Sequence, residues 1–485
     1  MPDPRTICVL DVGKTNVKLV LHDPDGGTDV LGRSTPNRVL QDGPYPHFDV
    51  EAIKRFCLDS LAEALAAGLT PDAMVVTTHG ASGAVLAEDD LALPVLDYEY
   101  EGPEELEAEY DSIRPAFDET CSPRLPAGLN LGAQLFWQSR TFPQLFGGAR
   151  AIVTYPQFWA WWLTGVAACE VTSLGAHTDL WAPGRRTFTD LPARAGFPGV
   201  LAPLRHAWEP LGIMRQDLAG RLGLKRPLPV LAGIHDSNAA LLPYRLAVDG
   251  PLGGSGPQQA ADPLTVISTG TWLIAFGLGL SLAGIDPERD TLANVDLSGA
   301  PVPSARFMAG REFELIAAAG AQPEPDPACV GYIIERRIMM LPTLVPGSGP
   351  FRNRRGGSSP VGIVQSLNLE ERVALASLYV GLVTHASLTA LGARGPIVVE
   401  GPFNRNMLYL SVLARLTRRP VLVPTGPGGS AAGAALLATI ESGARRSPSL
   451  QEARGRGLGE EFDRYAALWA ERAAALPFST TGVMT

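Results

Sequence analysis

Ile7-Cys-Val-Leu-Asp11-Val-Gly13-Lys14-Thr15-Asn16-Val-Lys18-Leu-Val-Leu21 places two apolar runs around a polar turn. Runs of this length, bounded by a turn signal, read as strands buried on both faces. The turn offers what a polyphosphate needs. Gly13 lets backbone N–H groups approach, Thr15 and Asn16 can donate hydrogen bonds, and Lys14 and Lys18 bring positive charge. Asp11 is at odds with that set, because a carboxylate repels phosphate unless a cation lies between them. Mg²⁺ resolves the conflict, since it takes oxygen ligands and is commonly held by one or two carboxylates plus phosphates. The stretch predicts a nucleotide-phosphate site that works with Mg²⁺. A plain surface hairpin with ordinary turn residues fits the same letters.

Working outward, strand-like and helix-like segments alternate along the chain, which predicts α/β architecture. A helix is expected near Val50 to Ala67 and a strand at Ala73 to Thr78. Helices follow at Ala133 to Arg140 and Pro156 to Leu163, and a strand at Pro229 to Ile234. The tryptophans Trp159, Trp161 and Trp162 read as core or as the wall of a sugar cleft. Asp249 to Pro263 is a Gly-, Pro- and Gln-rich linker candidate. Beyond it the opening pattern restarts, with strand Leu264 to Ser268, turn Thr269-Gly270-Thr271 and strand Trp272 to Leu278. Two halves of similar topology are therefore expected, each with one phosphate loop. A helix over Glu371 to Leu391, strands at Pro396 to Val399 and Pro420 to Val423, and a terminal helix over Glu460 to Ala475 complete the pattern. The loop Pro346 to Pro360, with Arg352, Arg354 and Arg355, reads as solvated, or as a neighbour of phosphate.

Bulk properties narrow the class. A chain of 485 residues exceeds one ordinary core, so two domains are expected, 1–248 and 249–485. Its 46% hydrophobic and 19% charged content is that of a globular protein. A net charge of −10 and a pI near 5.3 argue against nucleic-acid binding. The five scattered cysteines, with no CxxC pair, suit reduced thiols, and no signal peptide is read at the N-terminus, so a cytoplasmic protein is expected. The uncharged run Leu264 to Ile285 reads as two buried strands and a turn in preference to a membrane span.

Four further constellations carry chemistry. Gly233-Ile-His235-Asp236-Ser-Asn238 closes an apolar strand, and ligands of open α/β sheets bind at the carboxyl ends of strands. Asp236 there is a candidate general base and equally a helix N-cap. Thr77-Thr-His79-Gly80-Ala-Ser82 follows another strand, with Asp97, Tyr98 and Glu99 downstream, and suits a polyol as well as a solvated loop. Ser268 to Thr271 is a hydroxyl-rich turn suited to phosphate. Glu400-Gly401-Pro402-Phe-Asn404-Arg-Asn406, followed by Gly428-Gly429-Ser430, offers glycines where an adenine ring could lie flat, although close helix packing also explains a Gly/Ala run. No HxH or HExxH spacing supports a metal hydrolase built on His79, His235 and Asp236.

The order and spacing of these five signals resemble the FGGY carbohydrate kinases, of the actin, sugar kinase and heat-shock chaperone superfamily, from about Thr6 to Gly443. Asp11 through Lys18 looks like the family's first phosphate loop and Ser268 through Thr271 like its second. Thr78-His79-Gly80 is similar to a sugar-side segment of xylulose kinases, and Gly233 through Asn238 to the segment with the catalytic aspartate. Gly401 through Asn406, with Gly428 to Gly433, resembles the adenosine region, and Arg372 to Leu391 the long helix before it. Lys14, where most members have threonine, resembles a rhamnulose and fuculose kinase-like branch. Asp97-Tyr-Glu99-Tyr-Glu101 stands where Trp-x-Asp-x-Arg is usual, and Pro402 replaces a glycine.

The resemblance implies an α/β chain of two ribonuclease-H-like (actin-like ATPase) domains flanking a central cleft that holds ATP and Mg²⁺. It implies Asp236 as general base on a sugar hydroxyl, with Asp11 and Asp236 on the metal side. Phosphates would meet Gly13, Lys14, Thr15, Asn16, Lys18, Thr269, Gly270 and Thr271, with Lys14 neutralising the γ-phosphate. Adenosine would lie on Gly401, Pro402, Asn404 and Gly429. The sugar, a ketose, deoxy-ketose or polyol, would sit against His79, Gly80, Glu99 and Gln134. The expected partner is a small-molecule sugar, with a homodimer open and neither nucleic acid nor membrane involved. A catalytically weak ATP- and sugar-binding sensor on the same fold is the alternative.

Overall fold

The opening hairpin forms as its letters predict. β1 (Ile7–Val12) is buried along its whole length and pairs antiparallel with β2 (Asn16–Asp23), Asp11 standing opposite Lys18. β2 pairs antiparallel with β3 (Thr28–Pro36), an exposed edge strand. On the other side β1 runs parallel to β4 (Ala73–Thr78), which is fully buried, and β4 runs parallel to β5 (Pro229–Leu231). After a break at Ala232-Gly233 the chain rejoins β4 as β6 (Ile234–His235), beside Thr77 and Thr78. Continuous apolar runs at β1 and β4 are what a sheet covered on both faces requires.

The pattern then repeats. β7 (Leu264–Thr269) pairs antiparallel with β8 (Leu273–Leu278), and β8 with β9 (Pro301–Phe307). β7 also runs parallel to β10 (Ile397–Glu400), and β10 parallel to β11 (Val421–Pro424). The orders β3-β2-β1-β4-β5 and β9-β8-β7-β10-β11 are the same arrangement, three antiparallel strands followed by two parallel ones. The run Leu264 to Ile285 is thus the expected strand–turn–strand.

In the computed structural model, residues 6–24, 26–197, 199–249, 263–318, 320, 324–354, 361–362, 366–426, 428–441, 448–453, 455 and 457–478 are described. The chain divides into two compact units. The first comprises Met1–Gln258, Ala293–Val302 and Gly426–Pro448, the second Gln259–Leu292, Pro303–Thr425 and Ser449–Thr485. The two later segments belong to the first unit for visible reasons. Asp296 accepts from the Arg245 Nε at 2.9 Å within a buried ion pair, and Gly433 meets the Ala239 carbonyl so closely that a Cβ would lie 1.8 Å from it. Except at its two ends, the linker expected at Asp249 to Pro263 lies outside the described residues, as do parts of Pro346 to Pro360.

Helices follow their caps. α1 (Val50–Ala66) begins where the Asp49 carboxylate accepts from the Ala52 N–H. α2 (Leu131–Thr141) and α3 (Tyr155–Thr164) cover the expected segments. In α3 Trp159 and Trp162 are buried and meet edge to face at 5.9 Å, so the tryptophans are core. α4 (Asp236–Asp249) starts directly after β6. α5 (Leu369–Leu391) begins two residues earlier than expected, because Asn368 and Glu371 form a capping box. It is long and apolar enough to cross a membrane, yet 78% of its most apolar window is buried inside the protein. α6 (Met407–Thr417) and α7 (Gly429–Ala435) complete the helices used below. All five cysteines are free thiols, four of them buried.

Candidate functional site

In the first unit the strand ends converge. Asp11, one residue from the end of β1, is buried and accepts a hydrogen bond from the Ser430 hydroxyl on α7 at 2.7 Å. Burial pushes its carboxyl up to about 6, the Ser430 bond and Lys18 opposing and the Asp236 charge adding to the rise. Asp236, first residue of α4, is likewise pushed up to about 6 by burial, against the Ser237 hydrogen bonds. Its side chain keeps 28% exposure, so a ligand can reach it. The break between β5 and β6 that presents it is held by Gln157, whose Nε2 donates to the Ala232 and Gly233 carbonyls at 2.8 and 3.0 Å. The His235 N–H donates to the Thr172 hydroxyl at 3.2 Å, and Thr172 in turn donates to the buried Glu170.

His235 faces Asp236. The Asn238 amide donates to the Val295 carbonyl, which turns the Asn238 Oδ1 toward His235 Nδ1 at 3.0 Å. Burial lowers the His235 pKa to about 4, so at neutral pH the ring is uncharged and its one proton sits on Nδ1. His235 Nε2 is then an acceptor, 3.3 Å from Asp236 Oδ1. A hydrogen bond forms across that gap when Asp236 carries a proton.

The sugar-side candidates gather nearby. Gly80 lies against His235, with an added Cβ falling 2.8 Å from His235 Nε2. His79 Nδ1 lies 2.8 Å from the Gly80 carbonyl and donates to it, and its Nε2 is buried without a hydrogen-bond partner among the described residues. Rings of Phe48, Tyr98 and Tyr155 surround His79 at 5.0 to 5.3 Å, and burial lowers its pKa to about 3. Lys14 departs from its expected task. Its ammonium is bound to Asp97, lies 3.5 Å from Glu99 and stands 4.8 and 5.1 Å from the Tyr98 and Phe48 ring centres. Gln134 has a packing role as well. It is buried, and its amide donates to the Ala81 and Gly128 carbonyls, fastening two loops. Thr15 on the β1–β2 turn and Asn16 and Lys18 at the start of β2 are exposed, and Gly13 N–H donates to the Asn16 carbonyl at 3.0 Å.

In the second unit the expected phosphate and adenosine turns touch. The Thr269 hydroxyl donates to the Glu400 carbonyl and accepts from the Phe403 N–H at 3.2 Å. That side chain therefore ties β7 to the following turn, while Gly270 is exposed and Thr271 half-buried. Gly401 has φ +81°, and a Cβ there would fall 2.0 Å from the Thr269 carbonyl oxygen. Pro402 opens a short 3₁₀ turn, in which the Asn404 N–H donates to the Gly401 carbonyl at 3.0 Å. Gly429, with φ +85°, belongs to the first unit. Ser430, Phe48, Gln157 and Glu170 were not singled out by sequence reasoning. Only the Gly428-Gly429-Ser430 run signalled the first of them.

The donor set at Asp11 and Asp236 suits Mg²⁺. It offers the carboxylate oxygens of two residues and no sulfur, and among the described residues no group of three or more His, Cys, Asp and Glu could hold a metal ion.

Two units built on the same sheet order define the two-domain actin-like ATPase fold, and known structures agree. A carbohydrate kinase from Novosphingobium aromaticivorans is 35% identical, over 98% of this chain and 99% of that one, with a TM-score of 0.79. Residues 261–447 match the C-terminal domain of the FGGY carbohydrate kinases. The chain belongs to the FGGY carbohydrate kinase family. A xylulose kinase from Lactobacillus acidophilus shares the fold at 15% identity, over 97% of this chain and 98% of that one, with a TM-score of 0.77. The L-fuculokinase of Salmonella typhi is 29% identical over 282 residues, 55% of each chain, so the match spans about half the length of that curated relative.

Proposed function

We propose that the protein transfers the γ-phosphoryl group of ATP to a hydroxyl of a small sugar, a ketose or deoxy-ketose, or of a polyol. The observation that carries this reading is Asp236, a reachable carboxylate raised to about 6 at the end of a central strand, with a buried partner carboxylate at Asp11. A base of that strength is mostly ionised at neutral pH and can take the proton of an attacking hydroxyl. Once protonated, Asp236 donates to His235 Nε2, so the proton is held at a defined place while the phosphoryl group moves. Asp11, fixed by Ser430, and Asp236 would hold Mg²⁺, which when bound neutralises phosphate charge. In the first unit Thr15, Asn16 and Lys18 supply phosphate contacts, and in the second unit Gly270 and Thr271 do. Gly401, Pro402 and Asn404 of the second unit serve adenosine. The first unit acts as the sugar-binding domain and the second as the nucleotide-binding domain. The free thiols suit a cytoplasmic enzyme.

The test is acceptor-dependent ADP release with rhamnulose, fuculose, xylulose, ribulose, glycerol and erythritol. Turnover with at least one of them supports the reading. ATP binding without acceptor-dependent ADP release from any member would instead identify a sensor on this fold.

A further inference from the structure

We propose that Lys14 is a specificity-determining residue for the acceptor, forming with Asp97, Glu99 and His79 a reader of uncharged polyhydroxy compounds, and that it is not a clamp on nucleotide phosphate. The inference rests on the kinase reading above and deepens it. Lys14 lies in the phosphate turn by sequence, yet its ammonium is committed to the Asp97 carboxylate and lies 3.5 Å from Glu99. Two aromatic faces, Tyr98 and Phe48, approach it at 4.8 and 5.1 Å. Its side chain is only 12% exposed. An ammonium between two carboxylates has no surplus positive charge with which to attract a phosphate.

The second observation is His79 Nε2. It is an acceptor without a partner among the described residues, in a side chain 6% exposed. Its ring packs 5.3 Å from the Tyr98 ring that also faces Lys14. On its other side Gly80 brings this loop against His235, and through it Asp236. An unsatisfied buried acceptor is costly, and a hydroxyl donor from a ligand removes that cost.

The chemistry of the cluster then specifies its ligand. Glu99, 38% exposed, and His79 accept from hydroxyls, Lys14 has a remaining N–H for a hydroxyl or carbonyl oxygen, and the rings suit C–H faces. With His79 neutral, one cation against two carboxylates leaves a net negative charge. Neutral ketoses and polyols fit such a site, and sugar acids are repelled by it.

The experiment compares wild type with Lys14→Met, Lys14→Arg and the double variant Asp97→Asn/Glu99→Gln. It measures KM for the best neutral acceptor and for MgATP, and titrates that acceptor and gluconate calorimetrically without nucleotide. Lys14→Met should weaken neutral-acceptor binding and raise its KM by about tenfold, with KM for MgATP changing less than about twofold. Lys14→Arg, which keeps the charge and alters the reach, should weaken the acceptor less. The Asp97→Asn/Glu99→Gln variant should raise gluconate affinity relative to the neutral acceptor by about tenfold. A higher KM for MgATP with unchanged acceptor binding in Lys14→Met would overturn the proposal, and so would no change in either. A wild type that binds the acceptor but never turns it over would instead defeat the kinase reading, leaving the calorimetric comparison to decide the role of Lys14.

Discussion

The Ser430 hydroxyl donates to Asp11 Oδ2 at 2.7 Å across 419 residues of sequence, joining α7 to the end of β1. A hydrogen bond to a buried carboxylate fixes which oxygen faces a bound cation. Ser430→Ala removes that bond without adding bulk. The Mg²⁺ concentration needed for half-maximal ADP release should rise about tenfold, and Ser430→Thr should restore most of the loss. A Mg²⁺ dependence unchanged in the alanine variant would show that Asp11 needs no such anchor.

Asp236→Asn tests the base directly. Asparagine keeps the shape and cannot take the hydroxyl proton, so kcat should fall by about two to four orders of magnitude. Acceptor binding, measured calorimetrically, should change by less than about twofold. Unimpaired turnover would remove Asp236 from its role.

The legible part of this molecule was local. Apolar runs around a polar turn identified β1–β2 and β7–β8, and the strand ending at His235-Asp236 pointed to the candidate base because burial and turn signals lie within a dozen residues. Contacts over long sequence distances were not legible. Lys14 meets a carboxylate 83 residues away, and nothing in the Gly13-Lys14-Thr15 turn indicates that its ammonium pairs with Asp97. Gln134 shows a second limit, because an amide donor looks the same in sequence whether it serves a ligand or two loop carbonyls. Close helix packing, the plainer reading of the Gly/Ala run, is present at Gly433 and Ala239.

Two glycines should respond to alanine in different ways. At Gly401 the new Cβ would fall 2.0 Å from a backbone oxygen at φ +81°, and neither partner can yield. Gly401→Ala should therefore lower thermal stability by about 2 kcal/mol or more. At Gly80 the obstacle is the His235 ring, 2.8 Å away, which can move. Gly80→Ala should fold nearly as wild type and lose kcat by about tenfold or more, because His235 shifts against Asp236. Differential scanning calorimetry and steady-state kinetics separate the two outcomes, and equal stability losses in both variants would refute the distinction.

Glu312 makes a pH-dependent contribution to stability. Its carboxylate accepts from the Tyr379 hydroxyl at 2.7 Å and the Val345 N–H at 3.0 Å, and burial raises its pKa from 4.5 to about 7. Between those values the folded chain keeps a proton that the unfolded chain releases. Stability from this group is fully present below about pH 4.5 and declines as pH rises through 7. Glu312→Gln does not titrate, and it keeps an acceptor for Val345 and a donor for Tyr379. The stability of wild type relative to Glu312→Gln should therefore fall by about 2–3 kcal/mol between pH 4.5 and 7.5. Buried His79 and His235, lowered to about 3 and 4, push the other way in both proteins and cancel in the comparison. Thermal or urea unfolding of the two proteins at matched pH measures the difference, and parallel pH profiles would show that Glu312 is ionised in the folded protein throughout.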